Sequence, residues 1–331
     1  MAKRASMADV AARAGVSAQT VSRVVNGSPR VDPATRARVE AAMVDSGYRV
    51  HRAARALRTG RSGTLGAIVS TLATAGNSLL LEAVTEAAAR RGYDIALVTI
   101  GDSLARALDR LRDQGVDGVI VVNEASTLAH AAELPADLRF AVVDSPPDDR
   151  YVGVETDHAG GARAATEHLL ALGHRTVVHI AGPASSYAAS ERERGWREAL
   201  SGAGRAAGDV VRGAWTSASG FDAARALLEA GAVGSAVFVA NDQMALGALR
   251  ALAEHGLRVP EDVSVVGFDD VADAANYRPA LTTVRQHFDR LGETAVAMLI
   301  DGEVGAAAGR SRVVVPATLV ERASTAAFPS A

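Results

Sequence analysis

From Leu65 onward, short apolar runs recur between stretches of helical periodicity, and that alternation restricts the fold more than any other feature of the chain. The runs are Leu65 to Ser70, Ile95 to Thr99, Gly118 to Val122, Phe140 to Val143, Thr176 to Ala181, Ala236 to Val239 and Val263 to Phe268. They are too short for helices and apolar along their length instead of at every second position, the pattern of strands buried on both faces of a parallel sheet. Periodicity places helices at about residues 77–91, 102–114, 158–172, 190–202, 220–230, 241–255 and 288–300. Parallel strands need such crossovers, so the reading is a doubly wound α/β body. The strands are too many for one comfortable sheet of this type. Two similar lobes with a cleft between them are expected, with any ligand at the carboxyl ends of the strands.

The first fifty residues follow a different rule. Ala8 to Gly27 holds two short helical patterns around one tight turn. Gly15 supplies the left-handed backbone that ends the first, Ser17 caps the second, and Asn26-Gly27 stops it. Val10, Ala11, Ala14, Val16, Val21, Val24 and Val25 fall where two crossing helices meet, while Ala18, Gln19, Ser22 and Arg23 lie on the outer face of the second. Asp32 and Pro33 announce a third helix, with Val39, Ala42 and Met43 inward and Gly47 at its end. The pattern is an all-α helix-turn-helix head whose outer face suits a DNA groove; the alternative is a small helical domain with a solvated basic face.

Charge separates the two parts. Residues 1–63 hold twelve Lys or Arg against four Asp or Glu, so that part carries +8 and the remainder −11, an asymmetry hidden by the net −3. A basic head attracts phosphate, and the acidic remainder favours solubility. Aromatic residues make up 4% of the chain, which leaves few platforms for base stacking and favours a helix laid in a groove. There is no cysteine, which excludes disulfides and thiolate metal sites. With neither a secretory leader pattern nor eighteen uninterrupted apolar residues, a cytoplasmic location without membrane association is expected.

Between head and body, Tyr48 to Gly63 contains a helix-prone octet followed by a Gly/Ser/Thr stretch. Eight residues fall short of the roughly 12 to 15 at which an isolated helix becomes marginal in water, so this helix is expected to form only when something holds it. On DNA, Arg52, Arg55 and Arg58 would lie near phosphates and Leu57 would wedge into a minor groove. The alternative is an Arg-rich tether.

At this point the chain resembles the LacI/GalR family of transcriptional regulators. Asp9-Val10-Ala11, Ala14-Gly15-Val16-Ser17 and Thr20 to Asn26 are similar to the family's head. In the body the resemblance rests on Gly160-Gly161, Glu167-His168-Leu169, Leu172-Gly173-His174, Ala181-Gly182-Pro183, Gly195-Trp196, Ala240 to Gly247, Val263 to Asp270 and Leu281 to Val284. It implies a helix-turn-helix head over residues 1–50, a hinge over 51–63 and a two-lobed periplasmic-binding-protein-like body over 64–325. Lobe 1 would take about 64–155 and 288–316, lobe 2 about 156–287 and 317–325, leaving 326–331 as a tail. It further implies a homodimer whose two heads bind a near-palindromic operator. Ala18, Gln19 and Arg23 would open and line the recognition helix, and Ser17, Thr20, Ser22 and Asn26 would meet phosphates. Ala54 and Leu57 would belong to the hinge contact. Val50 and His51 stand where the family favours proline and asparagine. No leucine heptad follows Val320, so a dimer is expected instead of a tetramer.

The same resemblance implies a sugar effector between the lobes. Arg192 would donate a fork of bonds to neighbouring hydroxyls, Asp269 would accept from two, and Asn241 would do both. Gln286, Asp144 and Asn123 would border the cleft, with Trp215 as the stacking face. Three of these positions have a plainer alternative: Asp269 as a cap or interlobe ion-pair partner, Trp215 as core, Asn241 as the cap of the helix it precedes. Purine-binding members use a more aromatic pocket, so a pyranoside, first of all a galactoside, is expected. Release of DNA by the sugar is the leading mechanism and corepression the alternative. His168, His174 and His179 fall on a helix end, a turn and a strand, so no metal is expected, and no cofactor. No G-x-S-x-G, H-E-x-x-H or P-loop pattern occurs, and Asp144 with Asp269 is a weak acid–base candidate, so no enzymatic activity is expected. A sugar receptor for uptake would need a leader and no basic head.

Overall fold

The computed structural model describes residues 5–25, 27–48, 60–101, 103–123, 133–148, 150–301 and 312–328, and it divides into two compact units at Gly63/Thr64. The first unit is three helices. α1 (Met7–Ala14) begins with a capping box in which the Asp9 amide donates to Ser6 Oγ and the Ser6 amide to Asp9 Oδ2 at 2.7 Å. Gly15 ends it at φ 64°. Ser17 Oγ accepts the Thr20 amide at 3.1 Å to open α2 (Ala18–Val25). α3 (Pro33–Ser46) has Asp32 as its cap and Pro33 at its first position. Val10, Ala11, Ala14, Val21, Val24, Val31, Val39, Ala42 and Tyr48 form the core, with Val16, Val25 and Met43 half-buried against it.

The second unit holds two six-stranded sheets. The first is built from β1 (Thr64–Val69), β2 (Asp94–Thr99), β3 (Val119–Val122), β4 (Phe140–Val143), β5 (Val152–Thr156) and β11 (Arg312–Val315), in the order β11-β5-β4-β3-β1-β2. All its pairings are parallel. The second is built from β6 (Val178–Ala181), β7 (Val211–Arg212), β8 (Ala236–Val239), β9 (Ser264–Asp269), β10 (Thr282–Arg285) and β12 (Thr318–Val320), in the order β12-β10-β9-β8-β6-β7. Only its β10–β12 pair is antiparallel. Helices α4 (Ala75–Arg90), α5 (Leu104–Asp113) and α10 (Phe288–Ile300) pack with the first sheet. α6 (His158–Ala171), α7 (Tyr187–Gly202), α8 (Ser217–Glu229) and α9 (Asp242–Glu254) pack with the second. Four apolar clusters fill the faces of the two sheets.

The chain passes between the sheets three times: after β5, after β10 and after β11. In each sheet the strand order reverses once, between β1 and β3 and between β6 and β8. Those are the places where an open α/β sheet forms a crevice at its carboxyl edge. Ala326 and Phe328 are bound to the second sheet's lobe. The Ala326 carbonyl lies 3.2 Å from His174 Nε2, and the Phe328 amide donates to Leu172 O at 2.7 Å.

Several boundaries differ from the sequence-based expectation. α7 begins at Tyr187 instead of about 190 and α8 at Ser217 instead of about 220, because Ser186 and Thr216 cap them one turn earlier. β5, β7, β10, β11 and β12 lie outside the seven expected runs. Glu155 interrupts the apolar run of β5, and β7 is only two residues long.

Candidate functional site

On the three-helix unit, Ser17, Ala18, Gln19 and Arg23 are exposed, while Thr20 and Ser22 are half-buried. This sidedness follows from the sequence, since Val21 and Val24 turn the opposite face of α2 into the core. A short helix capped by serine and carrying a small residue, an amide and a guanidinium outward has the dimensions and donors to enter a major groove. Asn26, Ala54 and Leu57 lie outside the described residues.

In the second unit, Asn123, Asp144, Arg192, Trp215, Asn241, Asp269 and Gln286 all line one cavity, together with Thr74, Gly76, Asn77, Ala188 and Phe288. Their places follow from strand ends. Asn123 follows β3, Asp144 follows β4, Asn241 follows β8 by two residues, Asp269 ends β9 and Gln286 follows β10. Arg192 comes from α7, and Trp215 from the loop after β7. Four of these seven hold positive φ, a region costly for most side chains and less so for Asn and Asp: Asn123 at φ 49°, Asp144 at 54°, Trp215 at 67° and Asp269 at 123°. Such strain concentrates where a fold positions side chains for work.

A polar network joins the two walls. Gln286 Nε2 donates to Asp269 Oδ1 at 2.7 Å, and Gln286 Oε1 accepts the Thr156 hydroxyl at 2.7 Å. The Thr156 amide donates to Asp144 Oδ1 at 3.1 Å, and His158 Nε2 stands 3.0 Å from the same oxygen, off the line of a good hydrogen bond. Arg192 Nε donates to His158 Nδ1 at 3.3 Å, while its Nη1 donates to the Ala240 carbonyl and lies 3.5 Å from Asp269 Oδ1. The guanidinium is 3.9 Å from the Phe268 ring centroid and 5.4 Å from that of Trp215, so cation–π attraction adds to its fixation.

The indole of Trp215 rests on Gly182, where a Cβ would come within 2.3 Å of the ring, so that position has room only for glycine. Trp215 Nε1 is buried without a hydrogen-bond partner among the described residues. Asn241 Nδ2 donates to the Trp215 carbonyl at 3.1 Å and its Oδ1 caps α9 through the Met244 amide at 2.9 Å; it is a cap and a cavity wall at once.

Burial raises the Asp269 carboxyl above its ordinary range, against the downward pull of the Arg192 charge. Asp242 is pushed well above its ordinary value by burial and by the neighbouring Asp269, and it accepts the Thr283 hydroxyl at 2.5 Å and the Val271 amide at 2.9 Å. Sequence reasoning missed Asn77, which accepts from Asn123 Nδ2 and donates to the Thr71 carbonyl, and also missed His158 and Phe288. Their roles arise from partners distant in sequence, which no local pattern marks. His168, His174 and His179 have separate partners in Thr325, in Ser235 and Ser264, and in the Phe238 carbonyl.

Residues 6–50 match the family model described as bacterial regulatory proteins, lacI family, and residues 166–325 match a periplasmic binding protein-like domain. The lactose operon repressor of Escherichia coli K12 is 37% identical, covering 98% of this chain and 92% of the relative. The chain belongs to the lacI family of bacterial regulatory proteins. A second relative in the family, the transcriptional regulator CelR of Thermobifida fusca, is 38% identical over 97% of this chain and 98% of its own length. The crystal structure of the lac repressor dimer bound to operator and the anti-inducer ONPF superimposes with a TM-score of 0.85 at 36% identity, covering 98% of this chain and all of that one. A CelR–cellobiose complex gives 0.73 at 36% identity, covering 97% and 100%. As a lacI-family member the chain is a DNA-binding transcription regulator and not an enzyme. No helix among the described residues is long and apolar enough to cross a membrane.

Proposed function

We propose that this regulator is a homodimeric repressor whose two heads bind one near-palindromic operator and whose cleft takes a neutral pyranoside, first of all a galactoside, that releases it from DNA. The convergence of seven side chains from separate chain segments on one cavity, four of them on strained backbone, carries the effector reading. Two buried carboxylates, Asp144 and Asp269, favour a ligand that donates hydroxyl protons over an anion. Arg192, Asn241 and Gln286 add donors, and Trp215 supplies a flat apolar face for a sugar's C–H edge. The relatives agree in kind, one being a lactose operon repressor and another having been solved with cellobiose. In the head, Gln19 would pair with adenine and Arg23 with guanine, while Ser17, Thr20, Ser22 and Asn26 would meet phosphates and Ala54 and Leu57 would serve the hinge.

The test is operator affinity. Duplexes selected from a random pool by the full-length protein are titrated at fixed salt with and without o-nitrophenyl galactoside, a glucoside panel and cellobiose. Release by at least one galactoside supports the reading. Unchanged affinity with every sugar overturns it.

A further inference from the structure

Helix α4 begins without a cap of its own. Thr74 holds the extended backbone of a capping residue, φ −92° and ψ 138°, yet its hydroxyl accepts no bond from the first turn. The first four N–H groups of a helix have no partner inside it. One of them is met from the opposite lobe: the Ala75 amide donates to Gln243 Oε1 at 2.7 Å, although the two residues are 168 positions apart. Gln243 is the second residue of α9, whose own first turn is already served by Asn241. Thr74, Gly76 and Asn77, which flank Ala75, line the cavity, as does Asn241 two residues before Gln243.

Other polar contacts between the lobes among the described residues differ in place. Thr156 with Gln286, His158 with Asp144, and Tyr187 with Glu155 and Arg312 each include a residue beside one of the three crossings. Neither Ala75 nor Gln243 is near a crossing in sequence, so their bond is made only while the cleft walls stand at the angle seen here. Parting the walls leaves the Ala75 amide without that acceptor.

We propose that Gln243 is a removable interlobe cap for α4 that sets the resting angle between the lobes and thereby the response to an effector in the cleft; the latter half rests on the effector reading above. Loss of a helix cap shifts an equilibrium about fivefold. Gln243→Ala therefore enriches the parted arrangement by about that factor. Gln243→Glu, which places a carboxylate at the positive end of α4, shifts it the other way.

The chain has no cysteine, so Asp109→Cys on α5 and Ser201→Cys on α7, both exposed, give one specific label pair across the lobes of the full-length protein. Spin-label distances are recorded for the parent, Gln243→Ala and Gln243→Glu, each diluted with unlabelled protein so that one labelled protomer is read per dimer. A longer-distance population that grows in the alanine variant and shrinks in the glutamate variant supports the cap. Identical distributions in parent and alanine variant, or shifts of both variants in the same direction, overturn it. Adding o-nitrophenyl galactoside, then cellobiose, separates the two readings. If the variants differ but neither sugar moves any distribution, the cap stands and the effector reading falls. If sugar moves the parent and the variants match it throughout, the cap falls and the effector reading stands.

Discussion

His179 makes the stability of the second sheet's lobe sensitive to mild acid. Its ring is fully buried, stacked on Phe238 at 4.7 Å and 8° and tilted against Trp196 at 5.3 Å. Nδ1 donates to the Phe238 carbonyl at 3.0 Å, which leaves Nε2 as the lone-pair nitrogen, buried and without a hydrogen-bond partner among the described residues. A proton added there gains no acceptor, and burial depresses the folded-state value from 6.5 to about 4. The unfolded chain therefore binds the proton more readily than the folded one throughout that window. The stabilising contribution is complete above pH 6.5 and is lost as pH falls toward 4. A displacement of that size amounts to about 3 kcal/mol in full, of which about 2 kcal/mol is lost between pH 7.5 and 5.

Other groups titrate as well. His174, lowered chiefly by burial, acts in the same direction. Asp242 and Asp269 are raised, so their contributions grow as pH falls and oppose the histidines. A difference measurement removes them. Urea unfolding of the parent and of His179→Gln, followed by the fluorescence of the two buried tryptophans, Trp196 and Trp215, is compared at several pH values from 7.5 to 5. The gap between the two unfolding free energies is expected to shift by about 2 kcal/mol in favour of the variant as pH falls, whatever the variant's stability at pH 7.5. Two parallel pH curves would refute the reasoning.

Gly195→Ala would set its Cβ 2.1 Å from the Ala159 carbonyl, forcing α6 and α7 apart at a cost of about 1–3 kcal/mol, seen as a lower melting temperature. Asp32→Ala removes the side-chain acceptor for the Thr35 amide and is expected to cost the head about 1 kcal/mol, with loss of DNA binding on heating before any change in the body. Arg192→Met keeps much of the side-chain bulk but removes the donors to His158 and Ala240; DNA binding should persist while the sugar response is lost, checked by operator titration with and without sugar. In the head, Gln19→Ala and Arg23→Ala should each relax base preference at one half-site position by about 1–3 kcal/mol, read from binding to single-base operator variants.

The cores and most strands were legible because β1, β3, β4, β8 and β9 are buried at nearly every position, which writes a continuous apolar run into the sequence. β5 was not, because Glu155, a half-buried carboxylate that meets Arg312 and Tyr187, breaks the run. The cleft residues were legible as motif positions, since several of them double as local devices: Asn241 signals a helix start and Asp269 a strand end. His158, Asn77 and Gln243 were illegible for a physical reason. The hydrogen bonds that give them roles join residues 34, 46 and 168 positions apart, and no local periodicity records such a meeting.

The backbone strain shows why this cleft sits where it does. Held by a flexible loop, Asn123, Asp144, Trp215 and Asp269 would relax to negative φ, each gaining about 1 kcal/mol or more. Here Asn123 and Asp144 directly follow β3 and β4, whose eight residues are all buried, and Asp269 ends β9, whose six residues are too. Trp215 lacks such an anchor, because β7 is only two residues long. It is held instead by Asn241 through its carbonyl and by the flat seat at Gly182. The indole's position thus depends on a residue that also caps α9, the helix carrying Gln243. The stacking face and the interlobe cap are therefore tied to the same helix terminus, so a change in lobe angle that moves α9 also moves the surface offered to the ligand.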